Sequence, residues 1–151
     1  MPPTTTSTER ETRQVEQANA SGRTPVVFIH GLWLLPSSWD RWADLFEEAG
    51  YAAVTPSWPD DPETVEEARA HPEVLAKKTL GQVADHTAEV IGGLEKKPAV
   101  MGHSTGGLLA QIIADRGLSA VTVASIPDRF AVCCRCQSQR CGHRARCFET
   151  L

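Results

Sequence analysis

The chain has 151 residues, a formal net charge of −4 and a hydrophobic fraction of 41%. These values are typical of one globular domain, and they give no electrostatic basis for binding nucleic acid or an anionic membrane surface. The longest apolar runs are strand-sized and the N-terminus has no apolar signal-peptide core, so the sequence predicts a cytoplasmic protein without a membrane-spanning segment.

Residues 1–22 are predicted to form a disordered leader. They are mostly polar, and they carry too few apolar side chains to bury the surface that would order them. At most a helical turn is expected near Val15. The folded domain is therefore expected to occupy residues 23–126.

Strand-like and helix-like segments alternate through that domain. The run at 26–29 is continuously apolar, as in a strand buried on both faces of a parallel sheet. In chain order, the patterns predict strands at 26–29, 52–55, 99–101 and 120–124, and helices at 38–49, 63–71, 79–94 and 106–115. This alternation predicts an α/β fold, a parallel sheet with helices on both faces. The aromatic residues Trp39, Trp42 and Phe46 recur at helical spacing and are expected to face the core.

The segment Gly102-His103-Ser104-Thr105-Gly106 has the form G-x-S-x-G and lies between a predicted strand and a predicted helix. A serine hydroxyl is a weak nucleophile, and a sharp strand-to-helix turn presents it free of its own backbone. Gly102 and Gly106 fit positions where a Cβ would collide with a neighbouring element. The N–H of Thr105, at the start of the helix, would face a developing oxyanion. The motif predicts Ser104 as the nucleophile of a serine hydrolase.

A second motif, His30-Gly31-Leu32-Trp33, follows the first predicted strand directly. Together the two motifs resemble the α/β-hydrolase family over residues 25–126, in particular its small esterase-like members. The resemblance implies a partial α/β-hydrolase fold, the N-terminal half only, that stops after the strand following the nucleophile helix. The resemblance implies that Leu32, or next to it Trp33, supplies a second oxyanion-hole N–H, and that His30 and Gly31 brace this loop.

The family resemblance also implies a reaction and its partners. It implies hydrolysis of an ester or related acyl bond of a small molecule, with no metal and no organic cofactor. A serine at position 104, where the dehalogenase and epoxide-hydrolase branches carry a carboxylate, disfavours those branches. A cofactor-free perhydrolase of the haloperoxidase type uses the same motif and stays open as an alternative.

The other two members of a catalytic triad are not evident. In the family they follow the nucleophile, as an acid and then a histidine. After Ser104 the only candidates for these roles are Asp128, expected in a turn, and His143, outside any predicted element. Asp60 and Asp61 precede the nucleophile and are expected to form a turn and cap a helix. The sequence thus predicts an impaired hydrolase. The rival interpretation is a truncated, non-catalytic fragment or binding module that self-associates through an exposed sheet edge.

All five cysteines lie between Cys133 and Cys147, in a region of residues 127–151 rich in arginine. Their irregular spacing does not favour a zinc site, and a cytoplasmic protein does not favour disulfides. We interpret residues 127–151 as an irregular tail produced by a shifted reading frame near residue 126, which sequencing of the gene would test.

The residues available for binding an acyl chain are few. Trp33, Trp58 and the pair Leu34 and Leu35 indicate an apolar pocket, with ordinary core packing as the alternative. His71 and His86 are assigned no catalytic role.

Overall fold

The computed structural model describes residues 7–76 and 78–125 and the backbone of 126 and of 129–134. Its centre is a five-stranded sheet with the strand order β2-β1-β3-β4-β5. The strands are β1 (Pro25–Ile29), β2 (Ala52–Val54), β3 (Ala99–His103), β4 (Val121–Ile126) and β5 (Arg129–Cys134). β1 to β4 run parallel. The predicted α/β fold with a parallel sheet is therefore confirmed.

Within the described residues, five helices connect and cover the strands. They are α1 (Glu9–Ser21), α2 (Asp40–Glu48), α3 (Val65–Ala70), α4 (Leu80–Gly92) and α5 (Thr105–Asp115), with 3₁₀ turns at Pro36–Trp39 and Pro72–Ala76. Local chemistry explains where several begin. The Thr79 side chain accepts from the Gln82 N–H while Gln82 bonds back to the Thr79 N–H, which satisfies two free donors at the start of α4.

The two faces of the sheet bury separate groups of side chains. One face packs against α1, α4 and α5 through fully buried residues of alternate strand positions and of the helices, among them Val27, Ile29, Val100, Leu109 and Ile113. The opposite face forms a smaller core from Val26, Phe28 and Trp39, with Phe46 of α2 packed against it. Because both faces are covered, all five residues of β1 are buried, as its continuous apolar run predicts.

The N-terminal region differs from its prediction. Residues 9–21 form α1, which begins with a capping box between Thr8 and Glu11 and buries Glu11 and Ala18. The prediction of a disordered leader over 1–22 is therefore wrong for residues 9–21, and residues 1–6 lie outside the described part of the chain. Residues 9–21 order themselves through tertiary contacts rather than through a large apolar surface, so α1 belongs to the folded unit.

Glu11 is the centre of the contacts that hold α1. Its Oε1 atom accepts from the Ser57 N–H at 2.8 Å and lies 3.0 Å from Nε2 of the buried His86, and its Oε2 atom accepts from the Thr8 N–H at 2.7 Å. Burial by itself would raise the pKa of Glu11, but the hydrogen bonds from His86, Thr8 and Ser57 and the charge of His86 lower that pKa to about 2. Glu11 is thus a buried carboxylate that stays ionised.

Two further side chains of α1 bind the segment that follows β2. Arg10 donates to the Thr55 carbonyl and to the Ser57 hydroxyl, both at 2.8 Å. The Gln14 amide donates to the Thr55 hydroxyl and accepts from the Thr55 N–H, both at 3.1 Å. These bonds fix the path of the chain as it leaves β2.

The last described strand also differs from its prediction. The backbone of Arg129–Cys134 pairs antiparallel with β4, from Ile126 opposite Arg129 to Val121 opposite Cys134. The prediction of an irregular tail over 127–151 is therefore wrong for residues 129–134. Residues 127–128 and 135–151, with Asp128 and His143, lie outside the described part, and the shifted reading frame stays a prediction.

Candidate active site

Ser104 lies at the junction between β3 and α5. Its backbone has φ 56° and ψ −124°, a conformation with positive φ that residues other than glycine rarely adopt. The Ser104 N–H donates to the Ser125 carbonyl of β4 at 2.7 Å, and the Ser104 carbonyl accepts from the Gly107 N–H at 2.9 Å. A strand therefore turns into a helix at a single half-buried serine whose backbone is bonded on both sides.

Glycines on either side of Ser104 allow this turn. A Cβ atom on Gly102 would lie 2.0 Å from the Gly106 carbonyl oxygen, and a Cβ on Gly106 would lie 2.1 Å from the Ile29 carbonyl oxygen. Both positions face backbone, which cannot swing aside as a side chain can. The start of α5 consequently contacts β1 and β3 at a distance that only glycine permits.

The loop from His30 to Leu34 lies close beside Ser104. A Cβ atom on Gly31 would lie 3.2 Å from the Ser104 Cβ. The Gly31 carbonyl accepts from the Leu34 N–H at 3.2 Å and from Nδ1 of His30 at 3.0 Å. The Gly31 carbonyl and the Leu32 N–H belong to one planar trans peptide and point in opposite directions. The two hydrogen bonds on the carbonyl therefore also fix the direction of the Leu32 N–H.

His30 is buried beneath this loop, with 1% of its surface exposed. Its ring stacks on Trp58, with 5.4 Å between the ring centroids and 19° between the planes. Burial lowers the pKa of His30, because a charged imidazole would lose its hydration there. These contacts agree with a histidine that braces the loop.

Asp60 and Asp61 have separate roles. Asp60 has a φ of 58°, and the Asp61 N–H donates to the Trp58 carbonyl at 3.0 Å, so the predicted turn is present. The predicted helix cap is wrong, since the hydroxyl of Thr64 accepts from the Glu67 N–H at the start of α3. The Asp61 side chain is instead buried in an ion pair with Lys78. A partner 17 positions away in the chain, on an irregular segment, leaves no periodic signal in the sequence.

Large apolar side chains surround the loop. Leu32 is 42% exposed and Trp33 is 62% exposed, and Leu34 borders a cavity of about 340 Å³ between α2 and the sheet. Trp58 and Leu35 are buried, so they do not belong to an open acyl pocket. The prediction that the aromatic residues of this segment face the core is confirmed for Trp39 and Phe46. It is wrong for Trp42, which is half exposed and lines the cavity.

The two histidines that were assigned no catalytic role have other partners. His71 is exposed beside Glu73 at 3.2 Å, and His86 is paired with Glu11. Among the described residues, no three histidine, cysteine or carboxylate side chains are grouped as a metal would require. In the same part of the chain, no helix is long and apolar enough to cross a membrane.

Comparison with known proteins gives the family. A family model described as the alpha/beta hydrolase family matches residues 26–146. No curated protein matches the chain.

Several solved structures share the fold. Epoxide hydrolase A from Mycobacterium thermoresistibile is 23% identical with a TM-score of 0.51, over 67% of this chain and 31% of that one. Dienelactone hydrolase from Anabaena variabilis is 19% identical with a TM-score of 0.50, over 66% and 50%. A variant of PytH is 22% identical with a TM-score of 0.51, over 66% and 38%. The matched region spans between about a third and a half of the length of these proteins. At identities this low, the similarity shows a shared fold only. With four-fifths of its length matched by the family model, the chain belongs to the alpha/beta hydrolase family.

Proposed function

We propose that the chain is a serine hydrolase that acts on an ester or related acyl bond, with Ser104 as its nucleophile. The observation that carries the proposal is the backbone of Ser104, which turns from β3 into α5 at a φ of 56°. Strain of this kind costs of order 1–3 kcal/mol and is concentrated at functional sites. A turn used only to connect a strand to a helix would place glycine or asparagine at that position instead.

Two backbone N–H groups are proposed as the oxyanion hole. Thr105 is the first residue of α5, and the N–H groups of a first helical turn have no acceptor within the helix. The Leu32 N–H belongs to the peptide whose carbonyl is held by His30 and Leu34. Each such donor contributes about 10²- to 10³-fold to the rate of an acyl transfer.

We propose a slow reaction, because no general base is identified. Among the described residues, no histidine is hydrogen-bonded to the Ser104 hydroxyl; Nδ1 of His30 bonds to the Gly31 carbonyl, and Nε2 of His86 faces Glu11. An oxyanion hole and substrate binding without a working triad accelerate the reaction about 10³- to 10⁴-fold over water.

The surface around Ser104 supports an apolar acyl group as substrate. The exposed side chains of Leu32, Trp33 and Leu34 lie on the loop beside Ser104. Burying such side chains against an acyl chain stabilises a complex by roughly 25 cal/mol for each Å² of apolar surface removed from water. Esters of short alkanoic acids, such as p-nitrophenyl butyrate, are therefore the proposed substrates.

A fluorophosphonate probe tests the nucleophile. We expect the folded protein to be labelled on the peptide that contains Ser104, slowly and on prolonged incubation because no general base is identified, and we expect Ser104→Ala to abolish that labelling. Ser37→Ala, at an exposed serine on the 3₁₀ turn before α2, is the matched control and keeps the label. A folded protein that the probe leaves unlabelled contradicts the proposal and favours a non-catalytic binding module.

A further inference from the structure

A buried ion pair lies beneath the loop that precedes α2. The Asp61 carboxylate, on the segment after β2, bonds to the Lys78 ammonium, which lies just before α4. Their side chains are 1% and 6% exposed. Removing two charges from water costs about as much free energy as their attraction returns, so stability alone does not account for such a pair.

The pair lies against the histidine that holds the loop. Oδ2 of Asp61 is 3.5 Å from Nε2 of His30. On the other side of the ring, Nδ1 bonds to the Gly31 carbonyl, and a carbonyl oxygen can only accept, so Nδ1 carries a proton. Among the described residues, Nε2 has no hydrogen-bond partner. The ring therefore has one satisfied nitrogen and one nitrogen that faces a carboxylate.

The neighbouring charges determine whether Nε2 gains a second proton. A carboxylate alone at this distance would favour a charged imidazole, but Lys78 and Arg10 oppose it. The charged groups that act on His30 within the described residues are Asp61, Lys78 and Arg10 of α1, one anion and two cations. A second proton would form a hydrogen bond to Oδ2 only if the ring approached within about 3.2 Å, which would draw Nδ1 away from Gly31.

We propose that Lys78, through its ion pair with Asp61, is a positioning residue for the hydrolysis, and that it keeps His30 with a single proton, on Nδ1. That proton holds the Gly31 carbonyl, and through the rigid peptide it holds the Leu32 N–H. The catalytic consequence rests on the proposed function of Ser104, whereas the protonation of His30 does not.

Imidazole nitrogen NMR of the full chain tests the protonation. Lys78→Gln leaves the carboxylate without its counter-ion and is expected to raise the pKa of His30 by about one pH unit or more, while Asp61→Asn lowers it. The controls Lys97→Gln and Asp60→Asn change the same charges at exposed positions and leave it in place. Shifts in the same direction, or shifts no larger than those of the controls, overturn the proposal.

The kinetic arm uses p-nitrophenyl butyrate. We expect Lys78→Gln to lower kcat about tenfold, with KM little changed, because a displaced donor weakens the transition state more than the ground state. Lys78→Arg keeps the positive charge at this position, so its kcat is expected to equal that of the wild type. Asp61→Asn combined with Lys78→Gln removes both charges, so the pKa of His30 and kcat are expected to stay close to the wild-type values. This variant serves if Lys78→Gln does not fold, and a tenfold loss of kcat in it overturns the proposal.

The outcomes separate the two proposals. A wild-type protein without activity or labelling contradicts the function of Ser104, and the NMR arm then still decides the role of the pair, with the backbone amide signals of Gly31 and Leu32 as its second readout. An active protein in which the pKa of His30 moves and kcat does not overturns the positioning role.

Discussion

The turn at Ser104 and the helix α1 are held in place by opposite means. At the turn, backbone packs against backbone, and a single added methyl group at Gly106 would overlap the Ile29 carbonyl. At α1, the contacts run between polar side chains such as Arg10 and Glu11 and the segment after β2. The first region fails when an atom is added, and the second fails when a charge is removed. Substitutions of each kind can test this comparison.

Gly106→Ala is expected to have the largest effect. The new Cβ would lie 2.1 Å from backbone oxygen, so α5 must move away from β1, at a cost of about 3 kcal/mol or more in the free energy of unfolding. Urea denaturation measures it. Gly92→Ala is the control, because none of the described atoms would lie within 4 Å of its new Cβ; it should be neutral or stabilising. A cost below about 1 kcal/mol at position 106 would show that the turn is not tightly packed.

Glu11→Gln comes next, with an expected loss of about 2 kcal/mol. The substitution keeps the shape of the side chain and removes the charge that His86 and two backbone N–H groups bind. Thermal and urea unfolding report the loss. Glu16→Gln, on the exposed side of the same helix, should change stability by less than about 0.5 kcal/mol. Equal effects of the two substitutions would mean that α1 is held by something other than its buried carboxylate.

The pH dependence of stability is a smaller, graded test. The folded pKa of Glu11, about 2, is below its ordinary value of 4.5, so the unfolded chain binds the proton more readily. The stability that Glu11 contributes is complete above about pH 4.5 and is lost as the pH falls toward 2. Urea midpoints measured from pH 5 to pH 2.5 should fall more steeply for the wild type than for Glu11→Gln. Parallel curves would exclude Glu11 as the source.

Trp33→Ala should have the smallest effect on stability, within about 0.5 kcal/mol, because the side chain is 62% exposed. Its effect should fall on substrate binding, with KM for p-nitrophenyl butyrate raised roughly three- to tenfold by the lost apolar contact. Leu45→Ala, at an exposed leucine of α2, is the control and leaves KM unchanged. An unchanged KM in Trp33→Ala would remove this loop from the acyl site.

The sequence predicted what short-range patterns can encode. The apolar run of β1 and the helical spacing in α4 and α5 depend on neighbours within a few residues, and the elements they predict are present. The buried charges were not predictable in the same way. Glu11 and His86 are 75 positions apart, so no short-range pattern indicates that they pair. One local signal for α1 was available, since Thr8 and Glu11 have the spacing of a capping box.

The contacts of α1 also bear on the order in which the chain folds. Apart from residues that flank the helix, its hydrogen-bond partners, among them Thr55, His86 and Gly93, lie 41 to 76 positions away along the chain. The entropy cost of closing loops of that length comes before these contacts can stabilise the chain. We therefore expect β2 and α4 to be assembled before α1 docks. Although α1 precedes the other described helices in the chain, it is thus expected to be among the last of them to become protected from hydrogen exchange.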